Sequence, residues 1–424
     1  MESTVETQGI RYHFIETKKF KTIHLVAKFK APLQRDTITK RALIPYVLKE
    51  GTKSYPKRQL LRRKLDDLYG GMFSADGSKK GENHIITIRL ELANPKFLPD
   101  NTAILEEGIA LFKELLFHPI ADGKAFIPAI IEREKQTLKQ KIQSLADDKM
   151  QYANLRLIEE MCKGEPYSIR VHGYEEDLNE VDHKGLYEYY QNMIKEDELD
   201  VYVVGDFNRR EMEQTLSKYL QRDVHPMKKI SLSGEKRISK QKEVIERQAV
   251  QQAKLHIGYR TNITFKDEEY PAFHVFNGLF GGFPSSKLFM NVREKHSLAY
   301  YASSRMESHK GLLFVFSGIA PENYTKTKNI IREQFEAMKA GEFTEQALCE
   351  VKDLISNQLL ETMDHPQGMV ELLYQQVLAD TEQDPKELIA KIKAVTKKDV
   401  IDAAKKIEED TVYLLTEEGG NASA

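Results

Sequence analysis

The sequence predicts an α+β protein of two tandem homologous domains, each a mainly antiparallel sheet packed by helices on one face. Three observations lead there. The chain has 424 residues, more than one hydrophobic core usually organises. Strand-like and helix-like runs are mixed without the regular alternation that a parallel βαβ sheet requires. Short patterns also recur half a chain apart: Leu68-Tyr69-Gly70-Gly71 returns as Leu279-Phe280-Gly281-Gly282, and Val201-Tyr202-Val203-Val204 as Val412-Tyr413-Leu414-Leu415. Both offsets (279 − 68 and 412 − 201) equal 211 residues, which points to an internal duplication. The expected divisions are residues 1–222, a linker over 223–248, and residues 249–424.

In chain order, Ile23–Phe29 alternates polar and apolar positions as a half-buried strand does, and Ala253–Tyr259 does the same in the second half. Leu61, Leu65 and Leu68 share a helical face, with Pro56 at a position a first helical turn tolerates. Ile85–Leu90 reads as a strand and Ile104–Leu116 as an amphipathic helix. From Phe126 to about Met161, apolar residues at helical spacing among many charges predict one long, partly exposed helix. Arg222 to Gln248 is rich in Lys, Arg, Glu and Ser and reads as a surface linker. Thr344 is placed to cap a helix with the apolar stripe Leu348, Val351 and Ile355.

Hydrophobic residues make up 41% of the chain and charged residues 30%, a balance that buries a real core and excludes a disordered chain. The net charge of −2 gives no basic field for polyphosphate, so nucleic acid is not expected as a partner. Cys162 and Cys349 lie far apart and form no Cys-x-x-Cys pair, which suits reduced thiols. Met1 to Glu6 shows no basic stretch leading into an apolar one, and no run approaches the ~18 apolar residues that span a bilayer. The expected location is the cytoplasm, away from membranes.

Chemistry is scarce on this reading. His-x-x-Glu-His, which sets two imidazoles and a general base on one helical face, does not occur among the 12 histidines. His172-Gly173-Tyr174-Glu175-Glu176 offers one imidazole and two carboxylates in what reads as a surface turn. In Gly281-Gly282-Phe283-Pro284-Ser285-Ser286-Lys287, Ser286 stands where a phosphate loop needs glycine before its lysine. Neither a Gly-x-Ser-x-Gly elbow nor a cysteine with a nearby histidine is present.

The order of short motifs resembles the pitrilysin (insulinase) zinc metallopeptidases of the processing-peptidase type. Arg41-Ala42-Leu43-Ile44-Pro45-Tyr46-Val47-Leu48-Lys49-Glu50-Gly51-Thr52 followed by Leu68–Gly71, then Pro166-Tyr167 through Gly173 and Asp200–Asp206, look like the first domain of that family. Leu279–Phe289 followed by Val292–Tyr300 is similar to the hallmark of the second. The resemblance implies a clamshell of duplicated peptidase-like domains. Aligned on Gly51-Thr52, it puts Ala42, Pro45 and Tyr46 where active members carry the two zinc-binding histidines and the base. A third ligand would fall on Lys141 if Glu134 marks the glutamate seven residues earlier. No metal is therefore expected in this chain, and no catalytic residue.

The family's substrate-binding arginine and tyrosine, seven residues apart, match Arg293 and Tyr300. From spacing alone, the favoured reading is that Arg293 pairs with a local carboxylate such as Glu294 or Glu307 while Tyr300 packs on the sheet; the surrounding resemblance reverses that preference. The resemblance implies a non-catalytic, substrate-binding subunit that completes the cleft of a homologous, zinc-bearing partner and holds an extended peptide. The alternative that the resemblance implies is a non-proteolytic accessory or scaffold protein of the same fold, associated as some bacterial relatives are with elongation factor P modification. An enzyme using unrecognised residues has no constellation behind it.

Overall fold

The computed structural model describes residues 2–99, 103–224 and 241–418. The chain forms two compact units, residues 1–144 with 169–231, and residues 145–168 with 232–424.

The first unit holds strands β1 (Glu2–Thr7), β2 (Ile10–Glu16), β3 (Thr22–Pro32), β4 (Met72–Lys80), β5 (Asn83–Ala93) and β6 (Glu198–Gly205), in the sheet order β1-β2-β6-β3-β5-β4. All neighbours run antiparallel except β2 and β6, which are parallel. Helices α1 (Ile38–Leu48), α2 (Arg58–Asp67), α3 (Ile104–Phe117) and α4 (Pro128–Asp147) belong mainly to this unit. Strand alternation sends Leu25, Ala27 and Phe29 of β3, Ile86, Ile88 and Leu90 of β5, and Val201 and Val203 of β6 to one face. There they meet Leu43 and Val47 of α1 and Phe112 and Leu116 of α3. Each of these side chains apart from Ala27 contributes roughly 1.5–3 kcal/mol by leaving water.

The helix expected from Phe126 to Met161 is broken. Asp148 has extended backbone, and its carboxylate accepts from the backbone N–H groups of Met150 and Gln151, starting a new helix α5 (Lys149–Met161). That helix packs in the second unit, and it is not a solvated scaffold: Ala153, Leu157, Ile158 and Met161 are buried against Phe314, Phe316, Tyr413 and Leu415. The first unit is completed by α6 (His183–Glu196) and α7 (Arg209–Tyr219).

In the second unit, β7 (Lys242–Gln248), β8 (Ala253–Arg260), β9 (Ala299–Glu307), β10 (Leu312–Ile319) and β11 (Glu408–Glu417) form a sheet in the order β7-β11-β8-β10-β9. Lys242–Gln248, expected as linker, is thus a strand parallel to β11, and residues 225–240 of that linker lie outside the described residues. Helices α8 (Tyr270–Asn277), α9 (Tyr324–Lys339), α10 (Glu345–Met363), α11 (Pro366–Ala379), α12 (Pro385–Ala394) and α13 (Lys397–Lys406) follow. Thr344 caps α10 by accepting from Ala347 N–H, and Leu348, Val351 and Ile355 are buried. The helical core covers one face of the sheet, while α5 covers the other.

The duplication is visible in the sheets. The order β2-β6-β3-β5-β4 matches β7-β11-β8-β10-β9, including the parallel pair at one side. Val201–Val204 and Val412–Leu415 occupy the corresponding strands β6 and β11.

Candidate functional site

Helix α1 carries the positions where the resemblance puts a metal. Ala42 is buried and offers a methyl group, and Pro45 is buried inside the helix, where its ring nitrogen cannot donate to the carbonyl four residues earlier. Tyr46 is half-buried; burial first, and then the charge of Glu134, raise its phenol pKa and keep it protonated. Glu134 on α4 is buried and accepts from Arg133 Nε at 2.9 Å. Arg133 also pairs with Glu50, just beyond α1, and Glu50 pairs again with Arg58 of α2. Lys141 lies where its charge, after burial, helps depress His172 to about 4.

Zinc takes thiolate, imidazole or carboxylate donors. Neither alanine nor proline supplies one, and the carboxylates nearby are held by guanidinium groups. Among the described residues, no group of three His, Cys, Asp or Glu is placed to hold a metal ion. The side chains present therefore do not fit a zinc ion.

Beside Ala42, Arg41 is 1% exposed and points inward. Its Nε donates to His84 Nδ1 at 3.0 Å, Nη2 donates to the Phe29 carbonyl at 2.9 Å, and Nη2 lies 2.6 Å from the Asp197 carboxylate. Burial and then the neighbouring guanidinium hold His84 well below the usual histidine range. A neutral imidazole is what allows Nδ1 to accept. Sequence reading treated Arg41 only as the start of a landmark. The available signal was a cation at the head of the apolar run Ala42–Val47.

The two expected binding residues lie in the second unit. Leu288 and Val292 are fully buried and anchor a helical turn, Phe289–Lys295, with widened i to i+5 bonding. It ends where Ser297 takes a left-handed conformation (φ 49°) and its N–H bonds to the Arg293 carbonyl at 3.0 Å. The Leu298 N–H returns to the Val292 carbonyl at 3.0 Å, and the chain enters β9 at Ala299.

Arg293 is left at the exposed end of the turn, its guanidinium 4.7 Å from the Phe289 ring centre and 3.6 Å from Glu294. Tyr300 is 72% exposed on the edge strand of its sheet. Of the two carboxylates considered for Arg293, Glu294 is the neighbour, through a long and solvent-exposed contact, whereas Glu307 accepts from Tyr167 at 3.4 Å. Tyr300 does not pack into the sheet.

Comparison with known proteins gives this geometry its context. Residues 180–355 match the family model described as "Peptidase M16 inactive domain". The chain is 50% identical over 407 residues, 96% of each sequence, to a Bacillus subtilis (strain 168) protein named "Probable inactive metalloprotease YmfF". It is 24% identical over 92% of its length, and 95% of the relative's, to the "Antilisterial bacteriocin subtilosin biosynthesis protein AlbE" of the same strain. A crystal structure of a conserved protein from Enterococcus faecalis V583 superposes with a TM-score of 0.90, at 33% identity and 99% coverage of both chains. No helix among the described residues is long and apolar enough to cross a membrane. With alanine, proline and tyrosine at the aligned metal positions, the chain belongs to the M16 (pitrilysin/insulinase-type) peptidase family as one of its inactive members.

Proposed function

We propose that this protein binds a peptide for a zinc-bearing homologous partner and performs no cleavage itself. The observation that carries the reading is the state of Arg293, in the turn that leads into the edge strand, and of Tyr300 on that strand: both side chains are exposed, and neither is taken into the core. An edge strand presents unpaired backbone groups to an extended peptide, and an exposed guanidinium adds a charge-assisted donor for its carbonyls. A relative named for bacteriocin biosynthesis is in keeping with a peptide as the molecule held. The chain has two cysteines, Cys162 buried and Cys349 exposed, which suits the cytoplasmic setting we assign.

The test is turnover by the complex isolated from its native cell, with thermal stability measured on the same preparations. Arg293→Ala should lower turnover about ten- to a hundredfold, the effect of one charge-assisted hydrogen bond, and Tyr300→Phe less. Melting temperature should not move in either variant. Unchanged turnover in both would remove the binding role and leave a scaffold.

A further inference from the structure

Strand β1 lies at the edge of the first sheet beyond β2, and among the described residues β7, which matches β2, ends the second sheet on that side. It pairs with β2 from Glu2↔Ile15 to Thr7↔Ile10, through a turn in which Gln8 and Gly9 both have positive φ (51° and 69°). Its sequence, Glu-Ser-Thr-Val-Glu-Thr, brings Val5 as its single large apolar residue, so packing alone gives this edge little stability. Polar contacts hold its two ends. At the turn, the Gly9 carbonyl accepts from Arg222 Nε at 2.9 Å and Nη2 at 2.6 Å. At the other end, Ser3 Oγ accepts from Arg209, and Glu2 meets His13.

His13 sits between two carboxylates. Its Nδ1 is 2.6 Å from Glu2 Oε1 and its Nε2 is 2.8 Å from Asp200 Oδ1, while the ring stacks on Tyr202 at 4.1 Å and 8°. A neutral imidazole has one N–H and one lone pair, so it satisfies only one of these oxygens; imidazolium donates to both. The surrounding charges are Arg11 on Asp200 at 2.6 Å, and Glu198 shared by Arg11 and Lys30. Lys28 lies opposite Asp200 in β3, and the charge of Arg222 also reaches Asp200. Deprotonation of the ring therefore leaves one of the two carboxylates, Glu2 or Asp200, without its N–H donor, and Asp200 keeps Arg11 as a second partner where Glu2 depends on the ring.

We propose that His13 is a proton-operated latch: as imidazolium it ties the Glu2 end of β1 to the sheet, and its deprotonation frees that end and uncovers the edge of β2. The carboxylates hold the His13 pKa above the ordinary 6.5 against the opposing effect of burial. The tie is therefore complete below pH 6.5 and is lost as pH rises through the higher folded value.

Hydrogen exchange of the whole protein, followed by mass spectrometry from pH 6 to 10 and corrected for intrinsic rates, tests this. Protection over residues 2–5 should fall about tenfold or more as pH rises, the loss of one charge-assisted hydrogen bond, while β6 keeps its protection. His13→Gln and Glu2→Gln should each remove that pH step, and Glu2→Gln keeps the test open should the histidine variant fold poorly. The His13 ring resonances should titrate above pH 6.5 in the unmodified chain. A flat pH profile, a step that survives both substitutions, or a ring titrating below 6.5 would overturn the latch.

Discussion

Arg133 pairs with Glu50 across two helices of the first unit, α4 to the end of α1, while its Nε holds Glu134 on its own helix at 2.9 Å. A guanidinium thus cross-links the elements that the resemblance would have a metal join. Arg133→Met should lower unfolding free energy by about 1–2 kcal/mol, because Glu50 keeps Arg58 as a second partner. Denaturant unfolding of Arg133→Met, Arg58→Met and the double variant checks this. The double change should cost more than the sum of the singles, since only then is buried Glu50 stripped of both cations.

Arg41 is buried far more deeply than Arg133. Its Asp197, His84 and Phe29 contacts are all buried, and truncation leaves a carboxylate, a ring nitrogen and a carbonyl to be satisfied anew. Arg41→Met should destabilise the first unit by roughly 3–5 kcal/mol, the usual cost of breaking a buried ion pair from one side. Circular dichroism melts that leave the variant within 1 kcal/mol of the parent would contradict this placement.

Acid sensitivity should begin at the histidines. Burial depresses His256 to about 3 and His24 and His274 to about 4. The unfolded chain takes up these protons from about pH 6.5 downward while the folded chain does not, so stability falls with pH by roughly 1.4 kcal/mol per unit for each group. Glu165, held near 2 by Arg260 and Lys310 against its burial, adds its loss only below the ordinary carboxylate range. His256 stands edge-on to Phe316 at 5.0 Å, so His256→Phe preserves an aromatic there and should flatten stability between pH 6.5 and 5. An unchanged slope would mean that other groups govern this window.

Gly173 tests the landmark between Pro166 and Gly173. Its φ is +71°, and an added Cβ would stand 2.6 Å from Thr39 Cα. Gly173→Ala should cost about 1–3 kcal/mol through backbone strain and this clash. It should also weaken the hydrogen bond from Tyr174 N–H to Thr39 Oγ1, now 3.0 Å. Thermal melts of the variant read the cost directly.

Where local chemistry decides structure, the sequence was readable. Thr344 caps its helix, Ile104 starts α3, and the 211-residue offset places Tyr202 and Tyr413 on matching strands. The misreadings have physical causes. Asp148 interrupts a helical pattern without glycine or proline, and only its side-chain bonds to Met150 and Gln151 reveal the new start. α5 looked solvated because its partners, Phe314 and Tyr413, are more than 150 residues away in sequence. β7 looked like linker because its charges are met by residues distant in sequence: Lys242 pairs with Glu160, and Glu246 accepts from Tyr152, Arg156 and Tyr413. At the site, Arg293 and Tyr300 were legible from their motif, whereas the Glu50, Arg58, Arg133 and Glu134 pairing joins α2 and α4 to the segment just after α1 and leaves no local pattern.

The most direct test of a peptide-binding but non-catalytic protein is elemental analysis of the purified chain, run beside a peptide-cleavage assay with and without chelator. Ala42, Pro45 and Tyr46 predict zinc well below one per chain and no chelator-sensitive cleavage. One tightly held zinc per chain, together with cleavage that a chelator abolishes, would contradict the account.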